Sequence, residues 1–183
     1  EYTHGWLIVD EAFAGYCWEH SIAGEVEYHE RLLVAGSMTK LLGIPGVRLG
    51  YLCAHPRVLA GLEHYQHTWE LNCFAGAVLR ALPKHRDEVL RYAQINAVRR
   101  NGLRVGLEKL GAFVYPSEAA FLLVKFPCPV ESIVRRLKGE GILVRQCMDF
   151  DGLDDGFHLR LAVKDEAMNE KLLKALRKTM CGE

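Results

Sequence analysis

The chain has 183 residues, 50% of them apolar and 25% charged, and its 23 basic and 23 acidic residues balance to a formal charge of zero. That balance excludes a disordered polymer, and the absence of any Lys- and Arg-rich segment argues against nucleic acid or a membrane surface as partner. No stretch reaches the about eighteen uninterrupted apolar residues of a membrane span, and Glu1-Tyr2-Thr3-His4-Gly5 lacks the order of a signal peptide, so a cytoplasmic protein is expected.

In chain order, Trp6-Leu7-Ile8-Val9 is a short apolar run ended by Asp10-Glu11, the pattern of a buried parallel strand with polar groups at its carboxyl end, where α/β sheets gather ligands. Residues 15–31, with glycines at 15 and 24, read as a loop with one helical turn, and Arg31 to Ala35 as a second strand. After Lys40 come Gly43, Pro45 and Gly46, too many breakers for regular structure, and then a third strand from Arg48 to Cys53. Helices are predicted from Pro56 to Tyr65, from Glu70 to Leu82, and from Arg86 to Leu110, the last weakened by Gly102 and Gly106. The remainder changes character: a strand over 121–126, a helix over 130–138, strands over 142–145 and 158–163, and a final helix over 165–180, an order that predicts a separate small α+β domain.

The six cysteines, at 17, 53, 73, 128, 147 and 181, form no C-x-x-C pair and are expected to be reduced, mostly buried thiols. His29, His64 and His67 have no metal-ligand spacing, and no metal is expected. Trp69 and Asn72 fall on one face of a helix start, where packing and capping explain them as well as any active-site role. The chain begins without Met and enters an apolar run at once, which reads as a chain opened in the middle of a larger fold.

The informative segment is Ser37-Met38-Thr39-Lys40, with Arg48 eight residues beyond the lysine in Gly46-Val47-Arg48-Leu49-Gly50-Tyr51. Hydroxyls and a guanidinium suit a phosphate dianion, since Arg offers a planar fork of donors. A deprotonated lysine amine can form an imine with an aldehyde. Pyridoxal 5'-phosphate carries both groups, and Asp10 at a strand end suits the pyridine nitrogen, whose proton must be kept for the ring to accept electrons. Alternatively, Asp10 caps the helix that follows, and Arg48 is a strand-edge charge.

Val9-Asp10-Glu11-Ala12-Phe13 and Ser37-x-Thr39-Lys40-x7-Arg48-x-Gly50-Tyr51 resemble the two signatures of fold-type I, class I/II aminotransferases, in the right order. Within that group the stretch from Ile44 to Leu52, with Trp69 and Asn72, is most similar to the threonine-phosphate decarboxylases of cobalamin biosynthesis, with histidinol-phosphate aminotransferases as near neighbours. The resemblance continues through Ile142 to Cys147, Gly152 to Asp154 and His158 to Val163.

It implies an α/β fold: residues 1–100 as the carboxyl-terminal part of a cofactor-binding large domain with an incomplete sheet, including the long linking helix, and 101–183 as a small α+β domain. It implies Lys40 as the catalytic Schiff-base lysine, Asp10, Ser37 and Arg48 as further cofactor-binding residues, and Arg145 and Arg160 as substrate-binding residues for a phosphate and an α-carboxylate. The implied partner is a small phosphorylated amino acid, and the implied assembly a homodimer. Where many members have Tyr, this chain has Phe13, which cannot donate to the cofactor's ring oxygen. Three functions remain open: decarboxylation of L-threonine O-3-phosphate, amino transfer of the histidinol-phosphate type, and a non-catalytic folded fragment.

Overall fold

A computed structural model of the chain describes residues 4–181, apart from the side chain of Cys181. The fold is α/β and divides into two compact units, the first ending at Ala93 and the second beginning at Gln94.

The first unit is built on three strands, β1 (Leu7–Glu11), β2 (Leu32–Ser37) and β3 (Gly50–Ala54), in that spatial order. β1 runs parallel to β2, with Val9 opposite Val34 and Glu11 opposite Gly36. β3 runs antiparallel to β2, with Tyr51 opposite Gly36 and Ser37 opposite Gly50. The predicted loop over 15–31 contains three 3-10 turns, Ala14–Tyr16, Trp18–His20 and Ala23–Glu27. The last of these lays Val26 and Ala23, with Ile22, over Val9, Leu32, Val34 and Cys53 on one face of the sheet.

Strand β1 differs from its expectation in burial. Trp6, Leu7 and Ile8 are exposed: β1 is an edge strand of the described sheet, and the 3-10 segment reaches Val9 but not Leu7 on the face they share. The opposite face holds Ile8, Asp10, Leu33, Ala35, Ser37 and Leu52, as strand alternation requires.

The stretch predicted as irregular after Lys40 is preceded by a helical turn, α1 (Met38–Leu41), before the breakers take effect at Gly43, whose φ is +64°. α2 (Pro56–Leu62) starts on a proline that needs no N–H partner. α3 (Cys73–Ala81) starts later than predicted, because Asn72 rather than Glu70 caps it, accepting from the Ala75 N–H at 2.9 Å. Trp69 therefore stands before the helix, in the left-handed region with φ +69°, and is 92% exposed.

α4 (Arg86–Glu108) passes without a break through both glycines read as weak points. At Gly106 the missing side chain has a use, since a Cβ there would come within 2.4 Å of Leu173.

The second unit is a four-stranded antiparallel sheet in the order β4 (Phe113–Val114), β5 (Phe121–Lys125), β7 (His158–Ala162), β6 (Arg145–Gln146). β4 is a strand that the sequence pattern did not indicate, and β6 is shorter and later than the predicted 142–145. Leu122 and Val124 of β5 and Leu159 and Leu161 of β7 share one face and pack on Leu103 and Leu107 of α4. Val130, Ile133 and Leu137 of α5 (Val130–Gly139), at helical spacing, and Leu172 and Leu176 of α6 (Glu166–Cys181) complete this core. Asp165 caps α6 by accepting from the Met168 N–H at 2.8 Å. No described helix is long and apolar enough to cross a membrane. Cys17, Cys53, Cys73, Cys128 and Cys147 are free thiols, of which only Cys147 is buried. The side chain of Cys181 lies outside the described residues.

On the other face of this sheet, buried His158 bridges Tyr115 Oη, 3.2 Å from its Nε2, and Asp155, 2.7 Å from its Nδ1. Lys125 Nζ lies 3.2 Å from the second carboxylate oxygen. The Phe157 N–H, with His158 and Lys125, holds the Asp155 carboxyl down at about 2, against 3.8 in a free chain. A carboxyl lowered in this way stabilises the fold fully above the unfolded value, and the contribution is lost as pH falls through about 2. Asp155→Asn is accordingly expected to lower the denaturant midpoint at pH 6 and to flatten its decline between pH 4 and pH 2. Parallel decline in both proteins would show that other carboxylates govern that window.

Candidate cofactor and substrate site

Strand direction explains how residues far apart in sequence meet at one end of the first sheet. β1 and β2 are parallel, so Asp10 and Ser37 lie at their carboxyl ends. β3 is antiparallel to β2, so its amino end arrives at the same place and brings Arg48 with it. The ladder extends past β2, with the Met38 N–H donating to the Leu49 carbonyl at 3.1 Å, which ties the start of the lysine turn to the residue after Arg48. Asp10 and Ser37 fall on the same sheet face, flanking Ala35 in register.

The local bonding of each group leaves its charge available. Asp10 accepts from the Ala12 N–H two residues on, at 2.8 Å, a local turn that differs from the helix cap also considered for it. Ser37 occupies the residue before α1 without capping it; its Oγ is 2.8 Å from Thr39 Oγ1, so the two hydroxyls stand together. Lys40 is exposed, and its Nζ lies 5.7 Å from the centre of the Phe13 ring. Among the described residues no carboxylate pairs with Lys40, and none pairs with Arg48.

Arg48 lies outside the third strand, where it was expected. It has φ +54° and ψ +64°, a left-handed conformation uncommon for a non-glycine residue, and its guanidinium donates to the Pro45 carbonyl at 3.1 Å. The loop is held in place by Asn72, which donates from Nδ2 to the Val47 carbonyl at 2.9 Å while capping α3. Asn72 is the cap that its sequence position allows, and it also fixes the backbone beside Arg48.

Three more residues shape this end of the sheet. Glu11, buried on the face opposite Asp10, accepts from Ser21 Oγ at 2.6 Å and the Ile22 N–H at 2.8 Å. It is therefore structural. Tyr51 lies over Gly36 so closely that a Cβ there would come within 2.0 Å of the ring, which is why glycine occupies that position. Burial, then the neighbouring Cys53 and Glu11, push the Tyr51 phenol up, so it stays protonated.

A cleft of about 490 Å³ borders α1 on Met38, Leu41 and Leu42, with Trp18, Leu82 and Val89 opposite. Its lining is mostly apolar, with Arg86 its one charged side chain.

In the second unit, Arg145 and Arg160 face each other directly across the β6–β7 ladder. Like charges opposite one another in a sheet repel, which favours an anion between or beside them. Their present partners differ. Arg145 pairs with Asp149, whose carboxyl this bond holds below its usual range, and lies 5.4 Å from the Phe150 ring. Arg160 stacks over the Phe121 ring at 5.1 Å and, among the described residues, has no carboxylate partner. Buried Cys147 lies close enough to feel both guanidiniums, though burial dominates and raises its thiol.

An amine, paired hydroxyls, a carboxylate and a guanidinium without a carboxylate partner among the described residues thus lie at strand ends of an α/β sheet. The chain belongs to the family described as aminotransferase class I and II, whose model matches residues 1–176. It is 33% identical to the threonine-phosphate decarboxylase of Salmonella typhimurium over 96% of this chain and 49% of that protein. To the histidinol-phosphate aminotransferase of Nocardia farcinica it is 31% identical, over 94% of this chain and 44% of the relative. The solved histidinol-phosphate aminotransferase of Clostridium acetobutylicum superposes with a TM-score of 0.89 at 29% identity, covering 97% of this chain and 55% of that one. The chain thus spans about half the length of the curated relatives it matches.

Pyridoxal phosphate is the cofactor of this family, and the groups at the sheet end fit it: an exposed amine for the aldehyde, Ser37, Thr39 and Arg48 for the phosphate, and Asp10 for the ring nitrogen.

Proposed function

We propose that the protein is a pyridoxal-phosphate-dependent decarboxylase acting on L-threonine O-3-phosphate and producing (R)-1-aminopropan-2-ol phosphate for cobalamin biosynthesis, as a cytoplasmic homodimer. The observation that carries the substrate class is the facing pair Arg145 and Arg160, two cations suited to a small molecule with a phosphate and a carboxylate. Identity to the Salmonella typhimurium decarboxylase supports the reaction type. In this reading residues 1–100 are large-domain sequence and 101–183 the small domain.

When bound, the cofactor supplies an aldehyde and an electron-accepting ring. Lys40 holds the aldehyde, Ser37 and Arg48 hold the phosphate, and Asp10 keeps the ring nitrogen protonated. Arg160 orients the substrate carboxylate and Arg145 its phosphate. In the reaction the bond from Cα to the carboxylate breaks, carbon dioxide leaves, and a proton replaces it at Cα.

Amino transfer is the second reading, supported by the near-equal identity to histidinol-phosphate aminotransferases and the superposition on one of them. Incubation of the loaded protein with L-threonine O-3-phosphate separates the two. The expected result is stoichiometric carbon dioxide and an amine phosphate without added keto acid. Release of an oxo product from histidinol phosphate, dependent on 2-oxoglutarate, would assign amino transfer instead.

A further inference from the structure

The turn that follows β1 lies against the helix carrying Lys40 at three points. The Phe13 ring faces Lys40 Nζ. Gly15 sits so near Leu41 that a Cβ there would come within 2.8 Å of Leu41 Cδ2. Tyr16, buried, donates from Oη to the Lys40 carbonyl at 3.1 Å, across 24 residues of chain.

These contacts matter because α1 is only four residues long. A helix of one turn has almost no internal hydrogen bonding to hold it, so its position depends on tertiary contacts. A left-handed glycine, Gly43, and the turn Pro45–Val47 follow at once, and on the downstream side the bond from the Met38 N–H to the Leu49 carbonyl ties the start of the turn to β3 but does not reach its lysine end. Of the three contacts, only the Tyr16 bond is directional. The ring contact tolerates a wide range of lysine positions, and the Gly15 contact limits approach without fixing direction. Burial, followed by the nearby Tyr92, raises the Tyr16 phenol, so its proton is present to donate throughout the neutral range.

We propose that Tyr16 is a positioning residue for Lys40: its hydroxyl fixes the backbone from which the lysine reaches the cofactor aldehyde, so that the amine is presented in one place. The inference rests on Lys40 being the cofactor lysine. It adds a residue outside the two signature stretches, acting through the main chain rather than on the cofactor. A phenyl group at Phe13 has no hydrogen-bonding atom to direct the amine, so direction comes from the backbone end of the side chain.

The test uses protein loaded with pyridoxal phosphate and Tyr16→Phe, which removes one oxygen and keeps the ring. Expected are an about fivefold weaker retention of cofactor, the size of one part-buried hydrogen bond, and a shifted pH midpoint for the absorbance of lysine-linked cofactor. A bond serving the fold alone would lower the melting temperature of the cofactor-free protein while leaving retention and midpoint at wild-type values, and that result overturns the proposal. Gly15→Ala, which pushes Leu41 from the other side of the same contact, should weaken retention in the same direction and serves if Tyr16→Phe does not fold; unchanged retention there also overturns it. If the wild type itself shows no lysine-linked absorbance, the assignment of Lys40 fails and takes the inference with it. A wild-type band with an indifferent Tyr16→Phe sinks the inference alone.

Discussion

Lys40→Ala should abolish the absorbance of lysine-linked cofactor and reduce turnover by a factor on the order of a thousand or more, since no other described lysine stands at the strand ends with Ser37 and Arg48. The fold should not suffer. Lys40 is exposed and, among the described residues, makes no ion pair, so its removal takes little from the packing of α1, and melting of the cofactor-free protein should match the wild type. Borohydride reduction followed by peptide mass analysis locates the linkage directly. Label on a different lysine, or a retained band in Lys40→Ala, would refute the assignment.

Leu159→Ala should give the largest loss of stability, about 2–5 kcal/mol. Leu159 is fully buried in β7 between Val124 of β5 and Gln146 of β6, within a core already closed by α4, α5 and α6. Strands and three helices surround the deleted atoms, so the cavity has little room to collapse. The substitution also sits between His158 and Arg160, whose side chains point to the opposite face. Urea unfolding followed at the second unit measures the effect; a change below about 1 kcal/mol would mean that the helices close over the void.

Much of the first unit was legible because its signals are local. Asp10 ends an apolar run, the hydroxyl pair precedes Lys40, and strand directions follow once those segments pair. Arg48 was misplaced for a physical reason: a β-like run of Arg-Leu-Gly-Tyr-Leu-Cys gives no sign that its first residue turns left-handed, a conformation imposed by the preceding Pro45-Gly46 turn and the Asn72 bond. The burial of β1 differs from expectation because an apolar run does not state that its strand lies at the edge of the described sheet. Tyr16 escaped notice entirely, since a tyrosine in an aperiodic segment carries no pattern and its partner is 24 residues away. The opposition of Arg145 and Arg160 depended on the register of β6 with β7, which no spacing in the sequence fixes.

Asn72 uses the two ends of one amide for different tasks, its oxygen on the Ala75 N–H and its nitrogen on the Val47 carbonyl. A side chain shared in this way makes the start of α3 and the posture of Arg48 a single mechanical quantity. Aspartate could keep the cap and would lose the strap; alanine would lose both. Under the role proposed for Arg48, the grip on a phosphate would then be graded from a position that never meets the phosphate, a dial on cofactor affinity that leaves the reacting groups unaltered.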